Sequence, residues 1–190
     1  MKGKLIIIGL LVVLLLVVFS GFGSYNSLVA LDEEVNTKWS DLGSQLQRRN
    51  DLIPNLVETV KGYSIHEQDV LKNVSDARAK LGGARTLEDQ VAGQSELSGA
   101  LSRLLMVVEN YPNLKADSQF TGLRDELAGT ENRINIGRMD YNQAVRQYNQ
   151  RIRSFPTLIY AGLFGFDAKP YFEVEEGAED APKVDFGTNK

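Results

Sequence analysis

Cysteine is absent from the 190 residues, and His66 is the single histidine. The first absence excludes disulfides, thiolate metal sites, cysteine nucleophiles and a lipidated N-terminal cysteine. The second excludes a multi-histidine metal centre. His66-Glu67 would need a second histidine four residues on to form a metalloprotease helix, and Val70 stands there. No phosphate-cradling G-x-G-x-x-G or Walker loop occurs, and no G-x-S-x-G elbow. Carboxylates are plentiful, but no pair stands apart from solvated helix faces, so no catalytic or metal-binding residues are assigned and no cofactor is expected. Charge of one sign is also missing from most of the chain. The formal net charge is −4, and Glu173, Glu175, Glu176, Glu179, Asp180 and Asp185 against Lys183 and Lys190 supply all of it. A neutral body gives no basic footprint for nucleic acid. The acidic stretch 173–190, broken by Gly177, Pro182 and Gly187, reads as a disordered tail.

A long hydrophobic run is present. Leu5 to Phe22 carries no charge, and at about 1.5 Å per residue it reaches roughly 27 Å, close to a bilayer's hydrocarbon thickness. Ser20-Gly21-Phe22-Gly23-Ser24 could serve as a signal-peptide cleavage site. However, the run is long for a signal peptide and helical periodicity continues past Tyr25, so a retained anchor over 1–24 is expected. Lys2 and Lys4 precede the run, whereas Asp32, Glu33 and Glu34 follow it. The positive-inside rule therefore puts the N-terminus in the cytoplasm and the body outside.

From Leu28 onward apolar residues recur in alternating steps of three and four: Val35, Trp39, Leu42, Leu46, Ile53, Leu56, Val60 and Tyr63. This is a coiled-coil-like heptad seam, and Asp32 and Arg49 are its two exceptions. Pro54 lies inside it and predicts a kink in one long helix. Ser64 and Glu67 have capping-box spacing for a second helix ending at Gly82-Gly83. Thr86 and Asp89 open a third, which ends at Tyr111-Pro112. The last helix runs from about Asp117 to Ser154. Phe120, Leu127, Ile134, Tyr141, Tyr148 and Phe155 lie seven apart along it, and Pro156 ends it. Strand-like alternation is confined to about Pro170–Val174. The fold class is all-α: an N-terminal transmembrane helix, then an antiparallel up-down-up-down four-helix bundle over 25–155 with long first and last helices.

Two sets of residues are singled out. Pairing Leu28 with Ser154 brings Arg49 near Glu131. A buried arginine needs a partner, so Arg49 with Glu131 is the expected pair, joined by Asn50 and Asn55 beside the kink and by the stripe Asn135, Asn142 and Asn149. The same residues near the kink could instead receive a ligand or partner. The second set is the apolar, aromatic segment 156–172, which the last helix brings back towards the bilayer. It either packs on the base of the bundle or meets the membrane interface or a partner, with Arg151 and Arg153 near phosphates and Tyr160, Phe164 and Phe166 at the headgroups.

The chain resembles the LemA family of bacterial membrane proteins. The resemblance covers the short anchor, Tyr25-Asn26, RRNDLIPNLVETVKGY from Arg48 to Tyr63, YPNLKADSQFTGLRDELAGTENRINIGRMDYNQAVRQYNQRI and FPTLIYAGLFGFDAKPYFE. It implies a single-pass inner-membrane protein with an antiparallel helical bundle and no catalytic residues to carry over. The function expected is a non-catalytic, membrane-anchored scaffold or interaction module. Its partners would be lipids and either copies of itself or another membrane protein. A stress or signalling accessory sensing bilayer state is the alternative, and an envelope enzyme ranks below both.

Overall fold

The computed structural model describes residues 2–63 and 67–173; the side chains of residues 2, 5–6, 13–14 and 16–18 lie outside that description. Every regular element among the described residues is a helix: α1 Lys2–Lys61, α2 Gln68–Gly82, α3 Leu87–Val108, α4 Pro112–Lys115, α5 Ser118–Ile152 and α6 Thr157–Phe164. The four longer helices expected after the anchor are present as α1, α2, α3 and α5. α4 and α6 are additional to them. The apolar run is the head of α1. Among the described residues, no helix is long and apolar enough to cross a membrane. The expected acidic tail falls on 174–190, outside the described residues.

The chain divides into two compact units. The first comprises residues 1–48 and 129–171, the second residues 49–128 and 172–190. In the second unit one apolar cluster joins Ile53, Leu56 and Val60 of α1, Leu71 and Val74 of α2, Leu97 and Leu104 of α3, Leu114 of α4, and Phe120 and Leu127 of α5. α2 and α3 approach closely at Gly93, where a β-carbon would lie 3.2 Å from Leu81 Cα. Local signals set most helix ends. Thr86 accepts from Asp89 N–H and Asp89 in turn accepts from Thr86 N–H, the reciprocal capping box its spacing predicted. The box expected at Ser64 differs. Residues 64–66, with His66, lie outside the described ones, and α2 starts at Gln68 with Glu67 at the cap position. The Glu67 carboxylate instead accepts from Tyr111 OH at 3.2 Å. Tyr111-Pro112, read as a plain helix break, opens the short α4, which drives Leu114 into the core.

α1 runs through Pro54 as one helix. Proline has no N–H, so the Asn50 carbonyl four residues back loses its helical donor. Arg78 of α2 replaces it, donating from Nε at 3.3 Å. Arg78→Met is expected to cost about 1 kcal/mol. The cost should shrink in a Pro54→Ala background, where residue 54 regains its own N–H; chemical unfolding of the four variants measures this coupling.

Asp117 caps α5. Its carboxylate accepts from Phe120 N–H at 2.9 Å and from Tyr63 OH at 3.0 Å. The Phe120 bond first, then the Tyr63 bond, lowers its pKa below the ordinary 3.8. A carboxyl depressed by folding stabilises above its unfolded value, and the contribution is lost as pH falls through the folded value. The stability advantage of the parent over Asp117→Asn is therefore expected to shrink between about pH 5 and pH 2 in urea unfolding. An advantage constant over that range would contradict the cap.

In the first unit α1 and α5 lie antiparallel. Lys38 Nζ meets Asp140 at 3.4 Å, the Trp39 and Tyr141 rings are 5.3 Å apart, and a β-carbon on Gly137 would lie 3.4 Å from Leu42 Cδ1. The Leu28–Ser154 frame would have placed Lys38 opposite Ala144, so the true register is displaced by about one helical turn. Leu42 lies over Gly137 at this crossing, at a distance an added β-carbon would meet as ordinary van der Waals contact.

Candidate functional site

The seam's first exception locates the site. Asp32 occupies a core-facing position of α1 that should be apolar. It is answered by Lys169, whose ammonium lies 2.7 Å from its carboxylate. The same ammonium donates to Asn36 Oδ1 at 3.3 Å and sits 5.6 Å over the Tyr148 ring. Lys169 arrives on a return segment. α6 ends at Gly165, the one described residue with positive φ, at 73°, which lets Phe166 N–H reach back to Ala161 O. The chain then runs along α1 and α5.

The last asparagine of the α5 stripe holds it there. Asn149, 6% exposed, donates from Nδ2 to Lys169 O at 2.8 Å and accepts from Lys169 N–H at 2.9 Å. One side chain thus satisfies both backbone groups of one residue, as a neighbouring strand would. Tyr141 OH donates to Pro170 O at 3.0 Å. Burial raises the Tyr141 pKa. Burial, then the Asp32 and Asp167 carboxylates, raises that of Tyr148, so both phenols stay neutral. Residues 170–173, where strand-like alternation was expected, form no strand.

α6 is held to the head of α1. Tyr160 OH and Ser20 Oγ share a hydrogen bond of 2.9 Å, and a β-carbon on Gly21 would lie 3.0 Å from the Tyr160 ring. Tyr25 takes Phe164 and Phe166 edge-on, at centroid distances of 5.1 and 5.8 Å. Two of the three aromatics assigned to the headgroups, Tyr160 and Phe166, are therefore partly buried against α1, and Phe164 shares the Tyr25 contact. Arg151 and Arg153 are exposed. Phe155, expected to continue the α5 seam, is 81% exposed because α5 ends at Ile152.

The polar set divides. Arg49 is buried at 2% exposure, as its seam position requires, and donates from Nη1 to Ser98 Oγ of α3 at 3.0 Å. Glu131, on α5, is half-buried, and so is Asn50, which follows Arg49. Asn55 is exposed, contrary to the buried role assigned to it: it follows Ile53 by about 200° of helix and faces away. Asn135 is exposed and Asn142 half-buried. The stripe is buried only where the return segment covers it, at Asn149.

Sequence reasoning missed Lys169, although an aspartate in an apolar seam is a signal that some cation must reach it. An open depression of about 610 Å³ on α1 is lined by Trp39, Ser40, Gly43, Ser44 and Gln47, none of them ionisable. Among the described residues no group of three or more His, Asp and Glu is placed to hold a metal ion.

Fold and site together define an all-α protein in which a long, apolar-headed helix is locked to a second by a strapped return segment. The chain belongs to the LemA family, whose sequence model matches residues 38–186. It is 30% identical to magnetosome protein MamQ 2 of Paramagnetospirillum magneticum, across 84% of this chain and 68% of that protein. MamQ of Magnetospirillum gryphiswaldense is 28% identical with the same coverage. Protein LemA of Metamycoplasma hominis is 24% identical across 71% of this chain and 62% of its own length.

Proposed function

We propose that this protein is a single-pass component of the bacterial inner membrane. Residues 1–24 cross the bilayer with the N-terminus in the cytoplasm. The body, a bundle of the four longer helices, stands on the extracytoplasmic side. It acts without catalysis or cofactor, holding further copies of itself or another membrane protein through helix–helix contact. The observation that carries this reading is the continuity of α1. An uncharged run from Leu5 to Phe22 passes without a break into the buried positions Leu28, Val35 and Leu42. Counted over the full sequence, with residues 5–6, 13–14 and 16–18 whose side chains lie outside the description, an apolar run of that length suits a bilayer, and a body built on the same helix is fixed beside it.

The absence of cysteine makes the test clean, because each introduced thiol is the only one. Lys4→Cys and Asn73→Cys are both at exposed positions. In intact cells a membrane-impermeant maleimide should label Asn73→Cys alone, and Lys4→Cys only after permeabilisation. The reverse pattern overturns the orientation, and release of the chain by an alkaline carbonate wash overturns the anchor. Cross-linking in intact membranes should trap a dimer or a membrane-protein partner; a chain that remains alone removes the interaction role.

A further inference from the structure

We infer that α6 is a second membrane element, a short helix seated in the interface of the bilayer that the head of α1 crosses. The inference rests on the anchor reading above and adds a separate claim about residues 155–164.

The geometry fixes the depth of α6 from that of the anchor. Tyr160 hydrogen-bonds Ser20 and lies against the bare backbone of Gly21, within the last turn of the apolar run. Wherever Ser20 and Gly21 sit relative to the headgroups, Tyr160 sits beside them.

The chemistry of the outward face agrees. α6 has no charged residue in Thr157–Phe164. Its polar atoms are turned inward: Tyr160 OH goes to Ser20, and Thr157 is fully buried. What faces out is apolar. Phe155, Leu158, Ile159 and Leu163 are 55–81% exposed, and Phe19 and Phe22, which flank Ser20 and Gly21 in α1, are exposed to a similar degree. Large side chains in one contiguous exposed patch mark a surface that is covered in use.

A protein partner could cover such a patch, but two observations favour lipid. The helix that carries the patch is joined at Tyr160 to Ser20 and Gly21 of the apolar run itself. It is also preceded by exposed Arg151 and Arg153, placed for anionic phosphates at the rim of an apolar face. A helix too short to span, lying against the end of one that does, matches the thickness of the headgroup–acyl boundary. The occupant is thus an anionic phospholipid surface, and the Gly165 reversal returns the chain from it to the body.

The single tryptophan makes a depth measurement possible. In the full-length chain, Trp39→Phe keeps a ring against Tyr141 and clears the background. Leu163→Trp, Ile159→Trp and Leu11→Trp are then introduced one at a time and reconstituted in vesicles of phosphatidylcholine and phosphatidylglycerol. Circular dichroism checks that helix content is kept. Leu163→Trp and Ile159→Trp are expected to emit to the blue of parental Trp39. They should lose most of their emission to lipid brominated near the headgroup end of the acyl chain and resist aqueous iodide. Leu11→Trp should be quenched by lipid brominated near the chain end.

If Leu11→Trp is quenched by lipid while both α6 reporters are quenched by iodide, α6 is in water and the inference fails while the anchor stands. If the α6 reporters resist iodide and brominated lipid alike, protein covers the patch and the lipid assignment is wrong. If Leu11→Trp is not quenched by lipid, the anchor reading itself fails and this inference falls with it.

Discussion

Phe120→Ala is expected to destabilise the second unit by about 3–5 kcal/mol, the range for removing a fully buried aromatic ring. Phe120 is 2% exposed, in the first turn of α5, and belongs to the cluster that joins α1, α2, α3 and α4. Its backbone also donates to the Asp117 cap. That cap survives the substitution, so the loss reports the ring alone. Phe120→Leu fills most of the volume and should cost less than half as much. Urea unfolding followed by circular dichroism gives both values, and hydrogen exchange at α2 and α3 amides locates the loss. A cost under about 1 kcal/mol would mean that the ring is not fully packed.

Asn149→Ala is the second large effect. It removes the donor for Lys169 O and the acceptor for Lys169 N–H together. Leaving a buried backbone group unpaired costs about 1–3 kcal/mol. Both groups belong to one residue, so a total of about 2–4 kcal/mol is expected unless the segment lifts off and water replaces Asn149. Hydrogen exchange separates the two responses. A detached strap exposes the amides of Phe166 to Phe172 while α5 stays protected, whereas a held strap shows the full stability loss. Asn149→Asp keeps the acceptor and loses the donor, and should fall between parent and alanine. If Asn149→Ala changes neither stability nor exchange at Lys169, the clamp described above is wrong.

Both effects show where sequence reading succeeds. Phe120 was legible as a core residue because heptad spacing on one helix is a local pattern. Thr86 and Asp89 were legible for the same reason, their bonds closing within three residues. The two seam exceptions could be seen as anomalies. Asp32 needed a cation, yet nothing near it in sequence says that Lys169 answers it, and the contribution of Ser98 to Arg49 is likewise a contact between residues far apart in the chain. The asparagine stripe was visible as a period of seven. Which member would be buried depended on a return segment whose path begins at a left-handed glycine.

Two further differences have the same origin. The α1–α5 register differs by about one turn, since it is set by contacts between residues far apart in the chain, such as Lys38 with Asp140 and Trp39 with Tyr141. The aromatic segment after Pro156 was read as apolar without a face. The structure divides it: Tyr160 and Phe166 turn towards α1, and Phe155, Leu158, Ile159 and Leu163 turn out.

The sequence by itself determined the all-helical class, the apolar head of α1, most helix ends and the resemblance to the LemA family. These rest on periodicity, on caps closed within one turn and on residue order, all carried by the chain locally. The tertiary structure decided the helix register, the Asn149–Lys169 clamp, the partner of Asp32, the donor that replaces the Pro54 N–H and the outward face of α6. Each depends on which distant side chain fits a given space, and that is settled only when the helices pack.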